Sequence, residues 1–568
     1  MKYAKLCAAL LTACAALPAA AAECAGLETL RLTNGRIHTM DAGDSLVSTV
    51  LMNVDSGKFV AVGPGADTAA NECTRTIDLQ GRTAVPGIID NHNHIILLGL
   101  RPGHDTRLEN ARSIDEVLGT LAARAQEVPK GDWITSLGGF NINQFVPPPG
   151  APRFPTRQEM DKVTRDNPVL LFQSFAGPSA TNSLGRQFFR GLGIAVAADG
   201  SIAGGADSLR ALNALRRLQT FAEQKRGLGY AMTYAAEVGV TTHLDQGGFP
   251  AAGDDTDGLA HFDRYRAFDS ARALYQEGKL INRIFVNFLH LENELHTPEL
   301  QARLLNVFNN YGDNLFKLHG IGEFTANGLG EGWKAGTRLV AQARWSNENH
   351  SLSRSDFQTI IDEWERVNAE TKAAGHPTGI EDLRWVVAHV PFITEDYIAK
   401  LANLGGGLSV LGGWRYISGS ATGNGPPFRR ILDHPSRIRV GMSSDGMQIS
   451  PMNPWLGMYY AVTGKNARGL LINAGQLTTR KEALRMYTAD NGWFLREEHN
   501  IGTIEAGKWA DLIVLNADYF DPAQVSDEGI KDVYSVLTVV NGRIVHDNLA
   551  GTKRMYWHRD SRRQLGFN

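Results

Sequence analysis

The pattern of apolar and polar positions divides the chain into end regions and a middle region. Near both ends, short runs rich in β-branched residues are broken by Gly, Asn and Asp, which is typical of antiparallel strands joined by tight turns. The segments TNGRI at 33–37 and VNGRI at 540–544 resemble two hairpin strands, one at each end of the chain. We therefore predict that residues 23–85 and 496–568 together build one small β-sandwich domain.

In the middle region, short apolar runs alternate with helical patterns. Runs such as PVLLF, RIFVNFLHL and LRWVVAHV are separated by amphipathic stretches such as SDFQTIIDEWERVNAET. This alternation indicates parallel strands with crossover helices. The predicted fold class is α/β, a TIM-like (β/α)8 barrel over residues 86–495 with an irregular insertion at about 98–229. A doubly wound open sheet is the alternative, but the sequence has no Gly-rich phosphate loop at its first helix.

Polar residues follow the apolar runs at the carboxyl ends of the predicted strands, where a (β/α)8 barrel gathers its active site. His92 and His94 close the first run and, two positions apart on a strand, project to the same face. Two neutral imidazoles aimed at one point form half of a divalent-metal site. The alternative is a pair of hydrogen-bonded histidines beside a turn. Later runs end in polar residues at His243 and Asp245, Lys317 and His319, His389, and Asp445.

Composition narrows the class of partner. Hydrophobic residues make up 43% of the chain and charged residues 21%, and the formal net charge is −3. These are ordinary values for a globular protein, and they give no electrostatic argument for nucleic acid or an anionic membrane. We predict a small-molecule substrate, no nucleic-acid partner and no integral membrane span. Self-association into a homo-oligomer stays open.

The first residues, MKYAKLCAALLTACAALPAAAAEC, have the layout of an export signal. A basic start, an Ala/Leu run and small residues before Glu23 predict a signal peptide over residues 1–22, cleaved after Ala22. The alternative is a lipoprotein box, LTAC, with lipid anchoring at Cys14. Both interpretations place the mature protein in the periplasm or outside the cell.

Cysteine usage points in the same direction. Cleavage after Ala22 would leave Cys24 and Cys73, and two cysteines in an oxidising compartment predict one disulfide. Two free thiols are the alternative. The sequence has no cysteine after Cys73, so neither thiol catalysis nor cysteine-ligated zinc is expected in the predicted barrel.

Several segments, in the same order along the chain, resemble the amidohydrolase superfamily. They are VPGIIDNHNH, a central Lys in FKLHG, two later His, SSDG and the tail GTIEAGKWADLIVLN. PTRQEMDKVTRDNPVLL, AAEVGVTTHLDQG and TRKEALRMYTADNGWFL further resemble its YtcJ-like branch, amidohydrolase family 3. The resemblance covers nearly all of the chain beyond residue 22 and implies a metal-dependent hydrolase.

The resemblance also implies a set of metal ligands. His92 and His94 match the histidine pair of the first barrel strand, His350 and His389 match the two later histidines, and Asp445 matches the aspartate of the last strand. The implied cofactor is a divalent transition metal, bound as one or two ions. Zn²⁺ is the leading candidate, because imidazole nitrogens and carboxylate-type oxygens are suitable ligands for it.

One implied ligand is chemically unusual. Lys317 matches a lysine that many family members carboxylate, so that the resulting carbamate bridges two metals. Carboxylation requires the free amine, and hence an environment that lowers the pKa of the lysine. The alternative is an ordinary cation that pairs with Glu323.

The implied reaction is hydrolysis of an amide or related C–N bond by a metal-bound hydroxide, with Asp445 as general base and then acid. A metal-dependent lyase or hydratase on the same barrel and a non-catalytic periplasmic metal-binding protein are the alternatives. His319, Glu323, Trp414 and Arg415 are candidates for substrate binding. For Trp414 and Arg415 the alternative is a packed aromatic loop.

Overall fold

A computed structural model describes residues 24, 26–145, 151–248, 267–306, 309–418, 425–446, 449–553 and 555–558. The predicted signal peptide and its alternative anchor, Cys14, lie outside the described residues. Among the helices that are described, none has the length and apolar character needed to cross a bilayer. The described strands form four sheets.

The region before the barrel is built mainly of short strands. Its elements are β1 (Thr29–Thr33), β2 (Arg36–His38), β3 (Leu46–Val47), β4 (Val50–Asn53), β5 (Lys58–Val62), α1 (Gly65–Thr68), β6 (Thr74–Asp78) and β7 (Thr83–Pro86). Four of these strands form a sheet of order β5-β4-β1-β6. Strand β1 therefore belongs to a different sheet from β2, which pairs with β3 and β7. The turn in TNGRI carries the chain from one sheet to the other, and the strand after it, β2, forms the predicted hairpin pairing with the next strand, β3.

The predicted insertion follows the first barrel strand, β8 (Ile88–Asn93), and helix α2 (Ile95–Gly99). Its elements are β9 (His104–Asp105), α3 (Ile114–Ala125), β10 (Ile134–Leu137), a 3-10 turn (Ile142–Phe145), α4 (Arg157–Val163), β11 (Val169–Phe172), β12 (Ser179–Thr181), α5 (Ser183–Gly191), β13 (Ser201–Ile202) and α6 (Ala206–Arg216). The strands form a sheet of order β13-β12-β11-β10-β9. The segment expected to be irregular thus contains a five-stranded sheet of its own.

Helix α7 (Phe221–Val238) returns the chain to the barrel, and strands then alternate with helices. These elements are β14 (Val240–Asp245), α8 (Asp269–Gln276), β15 (Arg283–Phe288), α9 (Pro298–Asn306), β16 (Phe316–Ile321), α10 (Glu331–Gln342), β17 (Ser346–His350), α11 (Arg354–Ala373), β18 (Val386–His389), α12 (Glu395–Asn403), β19 (Gly407–Leu411), α13 (Gly413–Ser418), α14 (Phe428–Leu432) and β20 (Arg439–Ser443). Neighbouring strands are parallel in the order β20-β19-β18-β17-β16-β15-β14-β8. The predicted α/β fold with a TIM-like barrel is confirmed.

Buried polar side chains join the two ends of the eight-stranded sheet. Asn91 of β8 accepts a hydrogen bond from Ser409 Oγ of β19 at 2.8 Å and donates to Asn491 Oδ1 at 2.8 Å. The amide of Asp445, just beyond β20, donates to the carbonyl of His92 at 2.9 Å. The barrel is therefore nearly closed, and the carboxyl ends of its strands face one common mouth.

The chain after the barrel contains α15 (Pro454–Thr463), α16 (Arg480–Met486), a 3-10 turn (Asn491–Trp493), β21 (Leu512–Leu515), a 3-10 turn (Glu528–Asp532), β22 (Ser535–Val540) and β23 (Arg543–Asp547). Its strands complete a six-stranded sheet of order β23-β22-β21-β7-β2-β3. VNGRI forms the predicted hairpin, since Val540 pairs with Arg543 between β22 and β23. Both ends of the chain thus contribute to one sheet. The sandwich domain as a separate unit stays a prediction.

The predicted disulfide between Cys24 and Cys73 is present, with 5.5 Å between the two Cα atoms. It ties residue 24 to the segment that leads into β6. Apolar residues from both ends of the chain, among them Leu32, Leu512 and Val539, share one buried cluster. The start of the described chain is therefore held by a covalent bond as well as by packing.

A buried ion pair fastens the barrel to the six-stranded sheet. Arg283, the first residue of β15, donates from Nε and Nη2 to the carboxylate of Asp511 at 2.6 and 2.9 Å. The two side chains are only 1% and 5% exposed. Asp511 directly precedes β21, and its carboxylate also accepts from the amide of Asn541 at 2.8 Å. One carboxylate therefore bridges the two parts of the molecule.

Replacing Asp511 by alanine is expected to lower the free energy of unfolding by about 3–5 kcal/mol, because the Arg283 guanidinium would stay buried without its anion. Urea denaturation of both proteins, followed by circular dichroism, measures this difference. The control is Asp166→Ala, which breaks an exposed pair with Lys130 and is expected to unfold close to wild type. Equal midpoints for Asp511→Ala and wild type would contradict the bridging role.

Candidate metal centre

Four buried side chains converge at the mouth of the barrel. They are His92 in β8, Glu323 just beyond β16, His389 at the end of β18 and Asp445 just beyond β20. One potential ligand atom from each lies within 4.8 Å of the other three. The barrel brings these side chains together although they are far apart along the chain. We call this group, with the adjacent His94 and His350, the mouth cluster.

The carboxylate of Glu323 lies between two groups of histidines. Its Oε2 lies 3.1 Å from His389 Nε2 and 3.0 Å from His350 Nδ1. The same oxygen lies 3.4 Å from His92 Nε2, and Oε1 lies 3.3 Å from His94 Nε2. A carboxylate in this position can contribute one oxygen to each side.

Asp445 closes the cluster from the last barrel strand. Its Oδ1 lies 3.3 Å from His94 Nε2 and 3.7 Å from His92 Nε2, and its Oδ2 lies 3.9 Å from His389 Nδ1. Asp445 and His389 both have left-handed backbone, with φ of +48° and +72°. Non-glycine residues adopt this conformation at a cost of about 1–3 kcal/mol each, and such strain concentrates at functional sites.

Hydrogen bonds behind the cluster fix how its first two histidines face. His92 donates from Nδ1 to Glu348 Oε1 at 2.6 Å, and His94 donates from Nδ1 to the carbonyl of Gly247 at 3.0 Å. Glu348 accepts in turn from Gln246 Nε2 at 2.7 Å, and Gln246 accepts from Asn287 Nδ2 at 2.9 Å. Because Nδ1 of each histidine donates to these acceptors, Nε2 is the nitrogen that faces the cluster.

The donor set fits a divalent transition metal. Among the described residues, His92 Nε2 and His389 Nδ1 are buried ring nitrogens with no hydrogen-bond partner. Buried polar atoms are nearly always paired in proteins, so unpaired nitrogens facing two carboxylates indicate that a cation belongs between them. Imidazole nitrogens and carboxylate oxygens are ligands that Zn²⁺ and similar ions prefer.

Burial and neighbouring charges shift the pKa values in the cluster. Burial alone would raise the pKa of Glu323, but the hydrogen bonds and charge of His350, followed by His389, hold it well below its usual range. Burial also acts to lower the pKa of His94, but the carboxylates of Asp445 and Glu323 raise it to about 10. Glu323 is therefore held ionised, which is the form that binds a cation.

Lys317 does not lie in the mouth cluster, which corrects the expectation that a carboxylated lysine bridges the metals. It stands near the start of β16, whereas Glu323 lies beyond the end of that strand. The ammonium of Lys317 pairs with Glu497, not with Glu323, and lies 4.9 Å from the centroid of the Phe285 ring. Glu323 was expected to bind substrate. Its carboxylate instead occupies the centre of the mouth cluster, the position predicted for Lys317.

The remaining candidates are one member of the mouth cluster and three residues outside it. His350 lies at the edge of the mouth cluster, with Nδ1 2.8 Å from His389 Nε2 and 26% of its side chain exposed. His319 is buried in β16, where burial lowers its pKa to about 3 and Arg496 is its principal charged neighbour. Trp414 and Arg415 lie in α13, with the guanidinium 4.3 Å from the indole centroid. A substrate-binding role for these last three residues stays a prediction.

Glu348 and Gln246 were not predicted. Glu348 precedes His350 by two positions in the strand SNENH, so the period-two alternation of a strand would have placed both on one face. That signal was weakened because the strand is polar throughout. Gln246 directly follows Asp245 at the end of β14, a position at which polar residues were expected.

Replacing Glu323 by glutamine is expected to weaken zinc binding at least about tenfold, because a central anion of the cluster is lost. Competition with a chromophoric chelator measures the dissociation constant. The matched control is the double variant Lys317→Met with Glu497→Gln, which removes both charges of the remote pair together and is expected to bind zinc like wild type. Loss of zinc in that control with retention in Glu323→Gln would refute the ligand assignment.

Replacing Glu348 by glutamine is expected to weaken zinc binding about 10–100-fold, because His92 loses the anion that holds its proton on Nδ1. The same chelator competition measures the effect. Glu237→Gln is the control, since Glu237 is also a buried carboxylate but contacts Trp557. Unchanged zinc affinity in Glu348→Gln would show that Glu348 does not orient His92.

Known sequences are similar to this chain over most of its length. A sequence model of the amidohydrolase family matches residues 75–546. N-substituted formamide deformylase of Arthrobacter pascens is 24% identical over 91% of this chain and 98% of its own length. Putative amidohydrolase YtcJ of Bacillus subtilis (strain 168) is 32% identical over 119 residues, 20% of each chain.

Solved structures share the fold. An uncharacterized metal-dependent hydrolase from Pyrococcus horikoshii OT3 superimposes with a TM-score of 0.57 and 19% identity over 87% of this chain and 98% of that chain. A mutant of atrazine chlorohydrolase TrzN from Arthrobacter aurescens TC1, complexed with zinc and atraton, superimposes with a TM-score of 0.52 and 16% identity over 92% of this chain and 96% of its own. Because the match to the family model spans most of the sequence, this chain belongs to the amidohydrolase family, the family of metal-dependent hydrolases that its motifs resemble.

Proposed function

We propose that the mouth cluster hydrolyses an amide or a related C–N bond with the help of a divalent transition metal, in first place Zn²⁺. The observation that carries the proposal is the convergence of two buried carboxylates and several imidazoles, two of whose nitrogens have no hydrogen-bond partner among the described residues. The name of the relative from Arthrobacter pascens, a formamide deformylase, supports the C–N bond as the target.

The residues of the cluster divide into two groups around Glu323. His92, His94 and Asp445 lie on the side of the first and last strands, and His350 and His389 lie on the other. Both groups are within reach of a Glu323 oxygen, so the cluster has ligands for one ion or for two. When bound, such an ion supplies Lewis acidity toward a substrate carbonyl oxygen and toward a water molecule.

Asp445 is the residue that moves the proton. Burial would raise its pKa, but the charge of His389 and the nearby imidazoles of His92 and His94 hold it below its usual range, so the carboxylate is ionised. It accepts a proton from the attacking water as the new C–O bond forms, and delivers that proton to the nitrogen as the C–N bond breaks. The products are a carboxylic acid and an amine.

Replacing Asp445 by asparagine is expected to lower amide turnover about 10²–10⁴-fold, because the proton acceptor is lost while the side chain keeps its shape. A screen of amide and ester substrates measures turnover, and mass spectrometry measures bound metal, which we expect in both proteins. Asp132→Asn, in the loop before β10, is the control.

Unimpaired turnover in Asp445→Asn would remove the assignment of the base. Metal-loaded wild type that hydrolyses no amide or ester would instead favour the lyase or the non-catalytic alternative.

We also propose that the chain is exported and cleaved after Ala22. The basic start and apolar run of the first residues support export, and so does the disulfide between Cys24 and Cys73, since such bonds persist in oxidising compartments. Mass spectrometry of the periplasmic fraction is expected to find Glu23 as the first residue. A lipid-modified Cys14 would support anchoring, and uncleaved cytoplasmic protein would refute export.

A further inference from the structure

A cavity of about 340 Å³ lies beside the mouth cluster. Glu323 and His350 form part of its wall, so the cavity and the cluster share two residues. The rest of the wall comes from the segment after β16, from α10, from β17 and from α11, and includes Phe324, Leu329, Trp333, Asn349, Asp356 and Thr359. We propose that this cavity receives an uncharged aromatic or branched aliphatic substituent of the substrate. The inference rests on the proposed function, because it assigns the substrate class of that site.

The wall offers large apolar surfaces to a ligand. The ring of Phe324 stacks on His350 with 5.1 Å between centroids, which places it directly next to the cluster. Leu329 is partly exposed and Trp333 is buried, and both line the cavity. Aromatic and aliphatic walls beside a small number of polar groups are typical of small-molecule sites, whose usual volume of about 300–1,000 Å³ includes this one.

Two polar side chains of the wall, Asn349 and Asp356, are engaged within the protein. Asn349 Oδ1 accepts from Trp333 Nε1 at 3.0 Å, and its Nδ2 donates to the carbonyl of Glu348 at 2.9 Å. Asp356 Oδ2 accepts from the amides of Ser353 and Leu352 at 2.9 and 3.2 Å, where it caps α11. A ligand in this cavity therefore gains mainly apolar contact.

Negative charge on the wall of the cavity disfavours anionic substituents of the substrate. The carboxylate of Asp356, in the first turn of α11, lines the cavity and is not among the groups that face the metal site. An anionic substituent would be placed near like charge and would lose water on entering, so it is disfavoured on two grounds. The structure thus favours an uncharged apolar amide over an N-acyl amino acid of the same size.

The test compares matched substrates on the zinc-loaded full chain. The series is N-methylacetamide, N-benzylacetamide, N-methyl-2-phenylacetamide and N-acetylphenylglycine, which varies size, the side of the amide and charge. One of the two uncharged aryl amides is expected to exceed N-methylacetamide about tenfold or more in kcat/KM. The carboxylated compound is expected to be at least about tenfold worse than N-benzylacetamide.

A charge introduced into the wall sharpens the comparison. Leu329→Arg is expected to lower kcat/KM for the preferred uncharged aryl amide about tenfold and to raise it for N-acetylphenylglycine. Leu305→Arg adds the same charge at a leucine on α9 that is 78% exposed, and is expected to leave the ranking unchanged. An unchanged ranking in Leu329→Arg would overturn the assignment of the cavity.

Binding separates failure of this inference from failure of the proposed function. Calorimetric titration of Asp445→Asn with the two aryl amides measures binding and needs no turnover. If one amide binds and the added substitution Leu329→Arg abolishes that binding, the assignment of the cavity is supported even if wild type hydrolyses nothing. Turnover without preference among the substrates would leave the proposed function standing and overturn the inference. If the protein shows no binding and no turnover, both the inference and the proposed function are overturned.

Discussion

Two carboxylates buried among imidazoles at one mouth of the barrel are the constraint around which the site is organised. Glu323 and Asp445 are buried, and the histidines around them stabilise their charges. Buried anions of this kind are costly unless they are paired or bind a metal. The strained backbone at His389 and Asp445 and the hydrogen bonds behind His92 serve this one arrangement. A cation that fits the cluster relieves the repulsion between the carboxylates and pairs the unpartnered nitrogens.

The part of the site that the sequence predicted depends on a rule of position. Polar residues at the carboxyl end of a barrel strand reach the mouth, and this rule correctly identified His92, His389 and Asp445 as neighbours. The rule failed at Lys317 because it requires knowing where the strand ends. The ladder between β15 and β16 shifts register between Leu318 and Gly320, and the strand continues to Ile321. The apolar run in the sequence stops earlier, so it pointed to the wrong residue.

Other differences have the same local origin. Turn residues such as those of TNGRI and VNGRI specify a reversal of the chain but not the partner of the next strand, so one forms a hairpin and the other passes between two sheets. The sheet within 98–229 was missed, apart from the run PVLLF that contains β11, because all five of its described strands are only two to four residues long, too short for a periodic pattern. The orienting role of Glu348 was missed because β17 is polar, and only the three-dimensional contact with His92 identifies it.

The closure of the barrel between its first and last strands has a consequence for how the protein acquires its metal. His92 and His94 leave the ribosome early, whereas Asp445 is synthesised hundreds of residues later. The set of ligands is therefore incomplete until the ribosome has synthesised the last barrel strand. The full set can assemble only after that point, so a chain truncated before Asp445 would carry His92 without that carboxylate.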